Sequence, residues 1–205
     1  QCREVGARPL YLGIAEDDPA AIEARLRAGL RADVIVSSAG VSVGDHYHVR
    51  GVLEKLGCRL LFWGVKMKPG YPLVFGVVES TGTLVFGLPG NPVSTAVTFD
   101  QFVRPALRKL MGHRLLHRPV VKARLARPVK KGPGRMHFVR VALTREGDEV
   151  VATPTANQSS GVLSSLIRGQ GLAILPAEAE SFAAGEGVDV QIIDMGFFDR
   201  PDRGF

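Results

Sequence analysis

The sequence contains very little cysteine. Only Cys2 and Cys58 occur among its 205 residues, and neither belongs to a CxxC pair. A disulfide framework needs several cysteines, and a structural zinc site needs clustered Cys and His ligands. Neither kind of site is therefore indicated, and both cysteines are predicted to act as small apolar residues.

Long apolar runs are also missing. No stretch approaches the ~20 residues that a membrane-spanning helix requires, and the first residues do not follow a signal-peptide pattern. We therefore expect a cytoplasmic protein with no membrane partner. The first residue is Gln1 and not Met, so we expect the chain to be part of a longer protein.

Common nucleotide and nucleic-acid motifs are absent. There is no GxxxxGK[ST] loop, no GxGxxG run, and no RNP, zinc-finger or helix-turn-helix signature. An ATPase, a dehydrogenase and a nucleic-acid-binding protein are therefore disfavoured. The net charge is nevertheless +6, and residues 114–145 are rich in Lys and Arg but contain no Asp or Glu. That stretch is expected to attract anions.

What the sequence does contain is an alternation of short apolar runs and helical patterns. Residues 9–14 and 33–37 have the composition of buried strands, and Asp18 is the expected cap of a helix between them. Strand, helix and strand together predict a parallel crossover. The runs 73–78 and 83–88 are joined by a short turn, which predicts a hairpin in the same sheet.

A long helix is predicted from about residue 92 to about residue 110, with a kink at Pro105. The pattern then changes to short strands separated by turns. We therefore predict an α/β domain over residues 1–113, with a mostly parallel sheet flanked by helices and incomplete at its N-terminus. A small all-β domain is predicted over residues 114–205.

Two glycine-bearing loops follow predicted strands and lead into helices, namely SSAGVSVGD at 37–45 and GLPGNPVS at 87–94. In open α/β sheets, ligands bind at the carboxyl ends of the strands. Glycine lets backbone N–H groups approach a phosphate, and Ser42 and Ser94 can add hydroxyl donors. One such loop alone more often serves backbone geometry only. Two in one domain favour an anionic ligand.

Charged residues near these loops indicate how an anion is held. Lys68 lies in the proline-rich segment 66–72 and can neutralise phosphate or molybdate, although most lysines are simply solvated. If Asp18 caps the first helix, Asp17 is available to bind Mg²⁺. Asp45, at the start of the second predicted helix, is the other candidate for a magnesium ligand or a helix cap.

Two further patterns carry weaker signals. His46 and His48 flank Tyr47 and could bind a metal, but no third ligand is evident nearby. Residues 40–44 match GxSxG, the pattern of a hydrolase nucleophile elbow, but no acid and His follow it with the specificity that a catalytic triad requires. Metal ligation by the histidines and serine hydrolysis are therefore minor alternatives.

Taken together, SSAGVSVGD, MKPGYP and GLPGNPVS resemble, in order and spacing, the signature of the molybdopterin molybdenumtransferase family, which includes MoeA and the E domain of gephyrin. The second half resembles the C-terminal β domain of that family through GRMHFVR at 134–140 and the closing ILP and AGEGVDV segments. The resemblance implies a molybdopterin-binding-like α/β domain that lacks its beginning. It covers nearly the whole chain.

The resemblance also implies an activity, in which adenylylated molybdopterin loses AMP and receives molybdate in a reaction that depends on Mg²⁺ or another divalent metal. Asp17, Asp45 and Lys68 then match catalytic positions, with Asp17 and Asp45 also as metal ligands. An arginine of the oxyanion site corresponds to Arg135 or Arg140, a choice that the sequence leaves open. The remaining positions implied to bind substrate are Gly40, Ser42, Gly44, Pro69, Pro72, Pro89, Gly90, Asn91, Pro92 and Ser94.

Departures from the family pattern leave a second hypothesis open. The family usually has Asp where Tyr47 stands, Lys where Tyr71 stands, often Lys where Gly64 stands, and Gly where Ala39 stands. Loss of these charges weakens metal and oxyanion binding. A catalytically impaired pterin-binding or scaffold protein is therefore the alternative, and a nucleotide hydrolase or adenylyltransferase on the same α/β domain is a third possibility.

The resemblance further implies a homodimer, with the molybdopterin adenylyltransferase as a candidate partner. The first domains of the family and a TGDEL-like segment are not part of these 205 residues. We therefore expect this chain to show little transfer activity by itself.

Overall fold

Helix α1 (Pro19–Gly29) begins where its capping residue predicts. The backbone N–H of Ala21 donates to Oδ2 of Asp18 at 2.8 Å, and Pro19 occupies the first turn, where a missing N–H costs nothing. The predicted cap is therefore confirmed. The computed structural model that shows this describes residues 1–40 and 46–199.

The described residues form two compact units. The first consists of Gln1–Val65 and Gly70–His117, and the second consists of Lys66–Pro69 and Arg118–Phe205. The four residues 66–69 thus belong by their contacts to the second unit, although they lie inside the range 1–113 that the sequence assigns to the α/β domain. No helix within the described ranges has the length and apolarity needed to cross a membrane.

The first unit contains a four-stranded sheet, which is made of β1 (Val34–Ser38), β2 (Cys58–Trp63), β4 (Val74–Val78) and β5 (Thr83–Leu88). Their order in the sheet is β1-β5-β4-β2. Only β1 and β5 are parallel, whereas β2 with β4 and β4 with β5 are antiparallel. The prediction of a mostly parallel sheet is therefore wrong. The reason is the predicted hairpin, which is present and reverses the chain between its two strands.

The predicted first strand, at residues 9–14, does not form. These residues lie outside every strand and helix, and Leu10, Tyr11 and Ile14 are exposed. An apolar run becomes a strand only when a neighbour pairs with its backbone groups. No neighbour within the described ranges does so, and the crossover predicted from this segment into β1 is therefore wrong.

Helices cover both faces of the sheet in the first unit. On one face, α1 and α2 (His46–Lys55) bury Leu26 and Leu53 against Ile35 and Val85. On the other face, Phe86 packs in a cluster with the side chains of the helical segment 92–110. The alternation of Val85 and Phe86 between the faces is the two-residue period of a strand buried on both sides.

The helical segment 92–110 is continuous but not uniform. It consists of α3 (Pro92–Thr98), a π-helical turn (Phe99–Val103) and α4 (Arg104–Leu110). The N–H of Arg104 donates to the carbonyl of Phe99 across the wide turn. Pro105 has no N–H to continue the α-helical ladder, and a π turn is one way in which a helix absorbs such a break. The irregularity predicted at Pro105 therefore takes the form of a π turn.

The second unit is a six-stranded sheet made of β3 (Met67–Lys68), β6 (Val120–Leu125), β8 (Met136–Glu146), β9 (Glu149–Pro154), β10 (Gly171–Leu175) and β12 (Gly187–Ile192). The order is β10-β12-β6-β9-β8-β3, and the sheet closes into a barrel because β10 also pairs with β8. Its apolar core includes Leu125, Val141, Ala152 and Val190. The predicted β domain is therefore confirmed.

Smaller elements of the second unit carry no strong sequence signal. Two short strands, β7 (Val129–Lys130) and β11 (Ser181–Phe182), pair with each other apart from the main sheet. A single helical turn, α5 (Ser164–Ile167), precedes β10, and a 3-10 helix (Met195–Phe198) follows β12.

Candidate functional site

The two glycine loops of the first unit start side by side at one edge of the sheet. Strands β1 and β5 run parallel with Ser38 opposite Leu88, and the N–H of Ala39 donates to the carbonyl of Leu88 at 3.1 Å. Both loops therefore leave the sheet at the same edge, as the sequence predicts for a shared ligand. Ser42, Gly44 and Asp45 lie outside the described residues.

Contact between the loops is tight at one point. A Cβ added to Gly90 would stand 3.2 Å from the Cβ of Ala39. Ala39 itself has a φ of +69°, and Gly40 has a φ of +72°. This is the left-handed region that favours glycine, so the alanine at 39 holds a strained conformation where the family pattern has glycine.

The second loop presents backbone more than side chains. Gly90, Asn91 and Pro92 are exposed, whereas Pro89 is buried and its carbonyl accepts the hydroxyl of Thr95. Ser94 is only 5% exposed, within α3. Its hydroxyl, predicted to bind the ligand, is therefore packed inside the unit, and the exposed part of the loop is the Gly90–Asn91 backbone.

Among the predicted acidic residues, the structure describes only Asp17. Asp17 is exposed beside the capping Asp18, and it has no hydrogen-bond partner among the described residues. No group of three or more His, Cys, Asp or Glu side chains within residues 1–40 and 46–199 is arranged to hold a metal. His48 is exposed, and the side chains of His46 and Tyr47 are outside the description. A single exposed carboxylate does not by itself fit Mg²⁺.

Lys68 lies in the second unit, on β3. This strand pairs in parallel with β8, and Lys68 stands opposite His137. Lys68 is exposed, Pro69 is buried and Pro72 is partly buried. Met67 anchors the segment with only 4% exposure.

A cluster of basic groups surrounds His137. Burial is the main cause that lowers the pKa of this imidazole from 6.5 to about 4, and the positive charges of Lys131, Lys68 and Arg135 add to it. The ammonium group of Lys131 is buried and donates to the carbonyls of Gly132, Arg135 and Ala177 at 3.1–3.3 Å. At neutral pH the imidazole is therefore uncharged inside a positive environment.

The two candidate arginines have different surroundings. Arg135 is exposed in the turn before β8, whereas Arg140 is 2% exposed and burial lowers the pKa of its guanidinium. Nε of Arg140 donates to the hydroxyl of Ser165, and Nη2 donates to the carbonyls of Asn157 and Ser159. No carboxylate of the described residues pairs with Arg140. Its charge therefore orders segment 155–165 without being neutralised.

Gln158 holds the same segment to β8. Its side-chain oxygen accepts the N–H of Arg140, and its amide nitrogen donates to the carbonyls of Arg140 and Thr155. Sequence reasoning missed Gln158, Lys131 and His137. Lys131 and His137 lie in the basic stretch 114–145, which was the signal for an anion site, but nothing in the sequence marked Gln158.

Two departures from the family pattern touch each other. Gly64 has a φ of +91°, and a Cβ added there would stand 3.5 Å from Cζ of Tyr71. The two positions are joined through backbone bonds, from Gly64 N to Leu73 O and from Val65 N to Tyr71 O. The ring of Tyr71 thus occupies the space beside a glycine, and the two departures form one local arrangement.

Comparison with known proteins agrees with this two-part organisation. The family described as probable molybdopterin binding domain matches residues 1–109, and the family described as MoeA C-terminal region (domain IV) matches residues 122–193. These matches coincide with the glycine loops and the β unit respectively.

Individual relatives carry the same description. The chain is 35% identical over 183 residues to a molybdopterin molybdenumtransferase of Haemophilus influenzae and 32% identical over 194 residues to one of Bacillus subtilis. These alignments cover 88% and 94% of this chain, but only 45% of each relative. The chain thus spans a little under half of the length of these curated relatives.

Solved structures show the same likeness. A molybdopterin biosynthesis moea protein from Pyrococcus horikosii superposes with a TM-score of 0.76 at 31% identity, covering 93% of this chain and 45% of that one. A molybdenum cofactor biosynthesis protein from Pyrococcus furiosus gives a TM-score of 0.73 at 28% identity, covering 93% and 60%. On its fold, its loops and these matches, the chain belongs to the molybdopterin-binding domain family, with a MoeA-type C-terminal region.

Proposed function

We propose that this chain is part of a molybdopterin molybdenumtransferase, which inserts molybdate into adenylylated molybdopterin and releases AMP. The observation that carries the proposal is the contact between the two glycine loops at the ends of parallel strands β1 and β5. Relatives of the same name support it, although the chain covers 45% of their length.

The accessible backbone at Gly40, Gly90 and Asn91 supplies the binding chemistry in this proposal. Glycine has no Cβ to keep a phosphate oxygen away from neighbouring N–H groups. The start of α3 adds the positive end of the helical segment. Ser42 and Gly44 complete the first loop and are proposed to bind the same group. Pro89 and Pro92 fix the course of the second loop, and Ser94 serves its packing.

In the second unit, Lys68 and an arginine are proposed to bind molybdate. Pro69 and Pro72 hold the segment that carries Lys68 in a fixed course. The side chain of Lys68 is exposed and has no hydrogen-bond partner among the described residues. Arg135 is exposed near the same imidazole, and Arg140 has a charge that no described carboxylate neutralises. A tetrahedral dianion can accept charge-assisted hydrogen bonds from cationic side chains of this kind.

Asp17 and Asp45 are proposed as the carboxylates that bind Mg²⁺. The support is that Asp18 caps α1, which leaves the carboxylate of Asp17 available. The described residues provide one of the two ligands, so no step of the reaction is derived through the metal. A divalent ion bound there would neutralise phosphate charge. A cytoplasmic homodimer, with the molybdopterin adenylyltransferase as a partner, belongs to the same proposal.

One observation favours the second candidate, a pterin-binding protein with impaired catalysis. The ring of Tyr71 lies beside Gly64, where the family pattern often has two lysines. An uncharged ring beside a glycine cannot neutralise an oxyanion. The site then binds the pterin through the glycine loops but stabilises transferred molybdate poorly.

The test is release of AMP from adenylylated molybdopterin in the presence of molybdate, using the complete protein that contains this chain. AMP release supports the transferase, and tight pterin binding with no AMP release supports the impaired binder. Absence of both would remove the proposal. A Tyr71→Lys variant that gains activity would show that the tyrosine limits transfer.

A steric variant tests the loop contact itself. We predict that Gly90→Ala weakens binding of the adenylylated pterin, because its Cβ would stand 3.2 Å from that of Ala39. Ala39→Gly in the same chain removes the clash and should restore binding. Gly51→Ala is the matched control, since nothing lies within 4 Å of a Cβ there. Weak binding that persists in the double variant would contradict the steric explanation.

A further inference from the structure

One end of the β unit gathers basic groups around an imidazole. Lys68 and His137 stand opposite each other on the parallel strands β3 and β8. Side chains of register partners project from the same face of a sheet. Neither side chain has a hydrogen-bond partner among the described residues, and His137 is only partly buried. Both are thus placed side by side and available to a ligand.

Lys131 supplies a fixed positive charge behind this pair. Its three ammonium hydrogens are directed to the carbonyls of Gly132, Arg135 and Ala177. Those bonds hold the turn 132–135 against the segment that follows β10. Because its donors are already used, Lys131 contributes its electrostatic field more than a direct contact.

Among the described residues, the charges that shift the pKa of the imidazole are all positive. These charges belong to Lys131, Lys68 and Arg135, while Leu175, the register partner on β10, is uncharged. Glu178 and Glu180 follow β10, but both are exposed and neither contributes to the shift in the pKa of His137. A positive field with no negative group of the described residues acting on it favours an anion.

We propose that His137 is a binding residue of this anion site and takes up one proton from solvent when a tetrahedral dianion binds beside Lys68. The neutral imidazole already has one N–H that can donate, and protonation adds a second donor and a charge. Burial is the main reason that the ring stays neutral, and repulsion from the cations adds to it. The dianion offsets that repulsion and attracts the charged form of the ring. The proposal rests on the proposed function in one respect, because molybdate or a phosphate group is the expected dianion.

The coupling has a defined direction with pH. In the unliganded protein the pKa of His137 is about 4, and a bound dianion raises it towards or above the ordinary value. Between the two pKa values, binding carries a proton with it and strengthens as pH falls, by at most about tenfold per pH unit. Well above the bound-state pKa, binding involves no proton.

Sulfate is the probe, because it keeps both charges throughout this range and its own titration does not interfere. Calorimetry at about pH 5.5, in two buffers of different ionisation enthalpy, measures the protons taken up per sulfate bound. We expect uptake approaching one proton for the natural sequence. His137→Gln should abolish the uptake and weaken sulfate binding roughly three- to tenfold at this pH. His117→Gln is the matched control, because His117 is exposed in the other unit, and it should retain both.

A second measurement does not depend on the variant folding. The NMR titration of the His137 ring in the natural sequence should move to higher pH when sulfate is added. Sulfate binding without this movement and without proton uptake would overturn the role of His137 and leave the transferase proposal standing. Absence of saturable sulfate and molybdate binding in a protein that releases AMP would also overturn it. Proton-coupled binding without AMP release would sustain it while the proposed function fails.

Discussion

Lys68 can be separated by experiment from the other exposed lysines, because the surroundings of each are known. The side chain of Lys68 has no hydrogen-bond partner among the described residues, whereas the ammonium group of Lys55 on α2 is paired with Glu23. If Lys68 binds the anion, Lys68→Ala should weaken molybdate binding in the complete protein about two- to fivefold. This is the scale expected for a solvent-exposed charge.

Lys55→Ala is the control for that prediction, and it should change molybdate affinity less than about twofold. Calorimetry at one fixed salt concentration makes the comparison, since exposed charges are screened by salt. Equal affinities for the two variants would remove Lys68 from the site. They would leave the glycine loops as the remaining basis for ligand binding.

His137 also predicts how stability depends on pH. Its pKa is lowered from 6.5 to about 4 in the folded chain, so between these values the unfolded chain binds the proton more readily. The contribution of the neutral imidazole to the free energy of unfolding is therefore fully present above about pH 6.5. It is lost as the pH falls to about 4. Allowing for solvent screening of a partly exposed ring, we expect a loss of about 1–2 kcal/mol.

Urea unfolding at several pH values between these limits measures the effect. Comparison with a variant that lacks the imidazole subtracts the contributions of the other titrating groups. The difference in unfolding free energy between the natural sequence and His137→Gln should change with pH between these values. A His137→Gln curve parallel to the natural one would show that the imidazole titrates normally.

At the scale of elements, Thr83 connects β5 to the turn between α1 and β1. Its hydroxyl donates to the carbonyl of Ala32 at 3.0 Å and accepts from the hydroxyl of Thr81 at 2.8 Å. Thr83 is 3% exposed. We predict that Thr83→Val, which keeps the shape but removes the hydroxyl, lowers the free energy of unfolding by about 1–2 kcal/mol.

Thr144→Val is the control for Thr83, because Thr144 is an exposed residue of β8 and valine suits a strand equally well. Its effect should stay within about 0.5 kcal/mol. Denaturant unfolding of both variants under the same conditions makes the comparison. Equal free energies of unfolding for the two variants would mean that the hydrogen bonds of the Thr83 hydroxyl do not stabilise the contact between the turn and the sheet.

The sequence predicted elements well where local signals and burial agree. Asp18 caps α1, the hairpin forms between β4 and β5, and the short strands predicted after the long helix form the barrel of the second unit. It failed at residues 9–14, because apolar composition cannot supply a pairing neighbour. It also overestimated parallel pairing, because β4 runs antiparallel to both of its neighbours, β5 across the hairpin and β2 on the other side.

The sequence predicted site residues only where a recognisable motif marked them. The adjacent starts of the two glycine loops were predicted correctly, because the positions of strand ends follow from the α/β pattern. That Lys68 stands opposite His137 depends on β3 joining the barrel, a pairing between residues far apart in sequence. The burial of Ser94 and the bonds of Gln158 likewise follow from three-dimensional packing, which spacing alone does not encode.

For the whole molecule, the composition of the basic stretch 114–145 overstates the positive charge that this stretch presents at the surface. Within the basic stretch 114–145, Lys122 pairs with Asp189, and Arg124 pairs with Glu146 and Glu149. Arg118 and Arg140 are buried and donate to backbone carbonyls. The acidic partners come from outside the stretch and reduce the field that its composition suggests.

This pairing predicts that the chain does not bind nucleic acid tightly in spite of its pI of about 9.7. Tight non-specific binding needs many unpaired cations along a surface that follows the phosphate backbone. Here several cations are already paired or buried, so fluorescence anisotropy with duplex DNA at about 150 mM salt should give a dissociation constant no tighter than about 10⁻⁵ M. Lys122→Ala and Arg124→Ala should change it little, because their charges are largely neutralised. Submicromolar binding that weakens steeply with salt would instead show that the basic stretch acts as a continuous surface, and the small-anion site around Lys68 and His137 would then be one part of it.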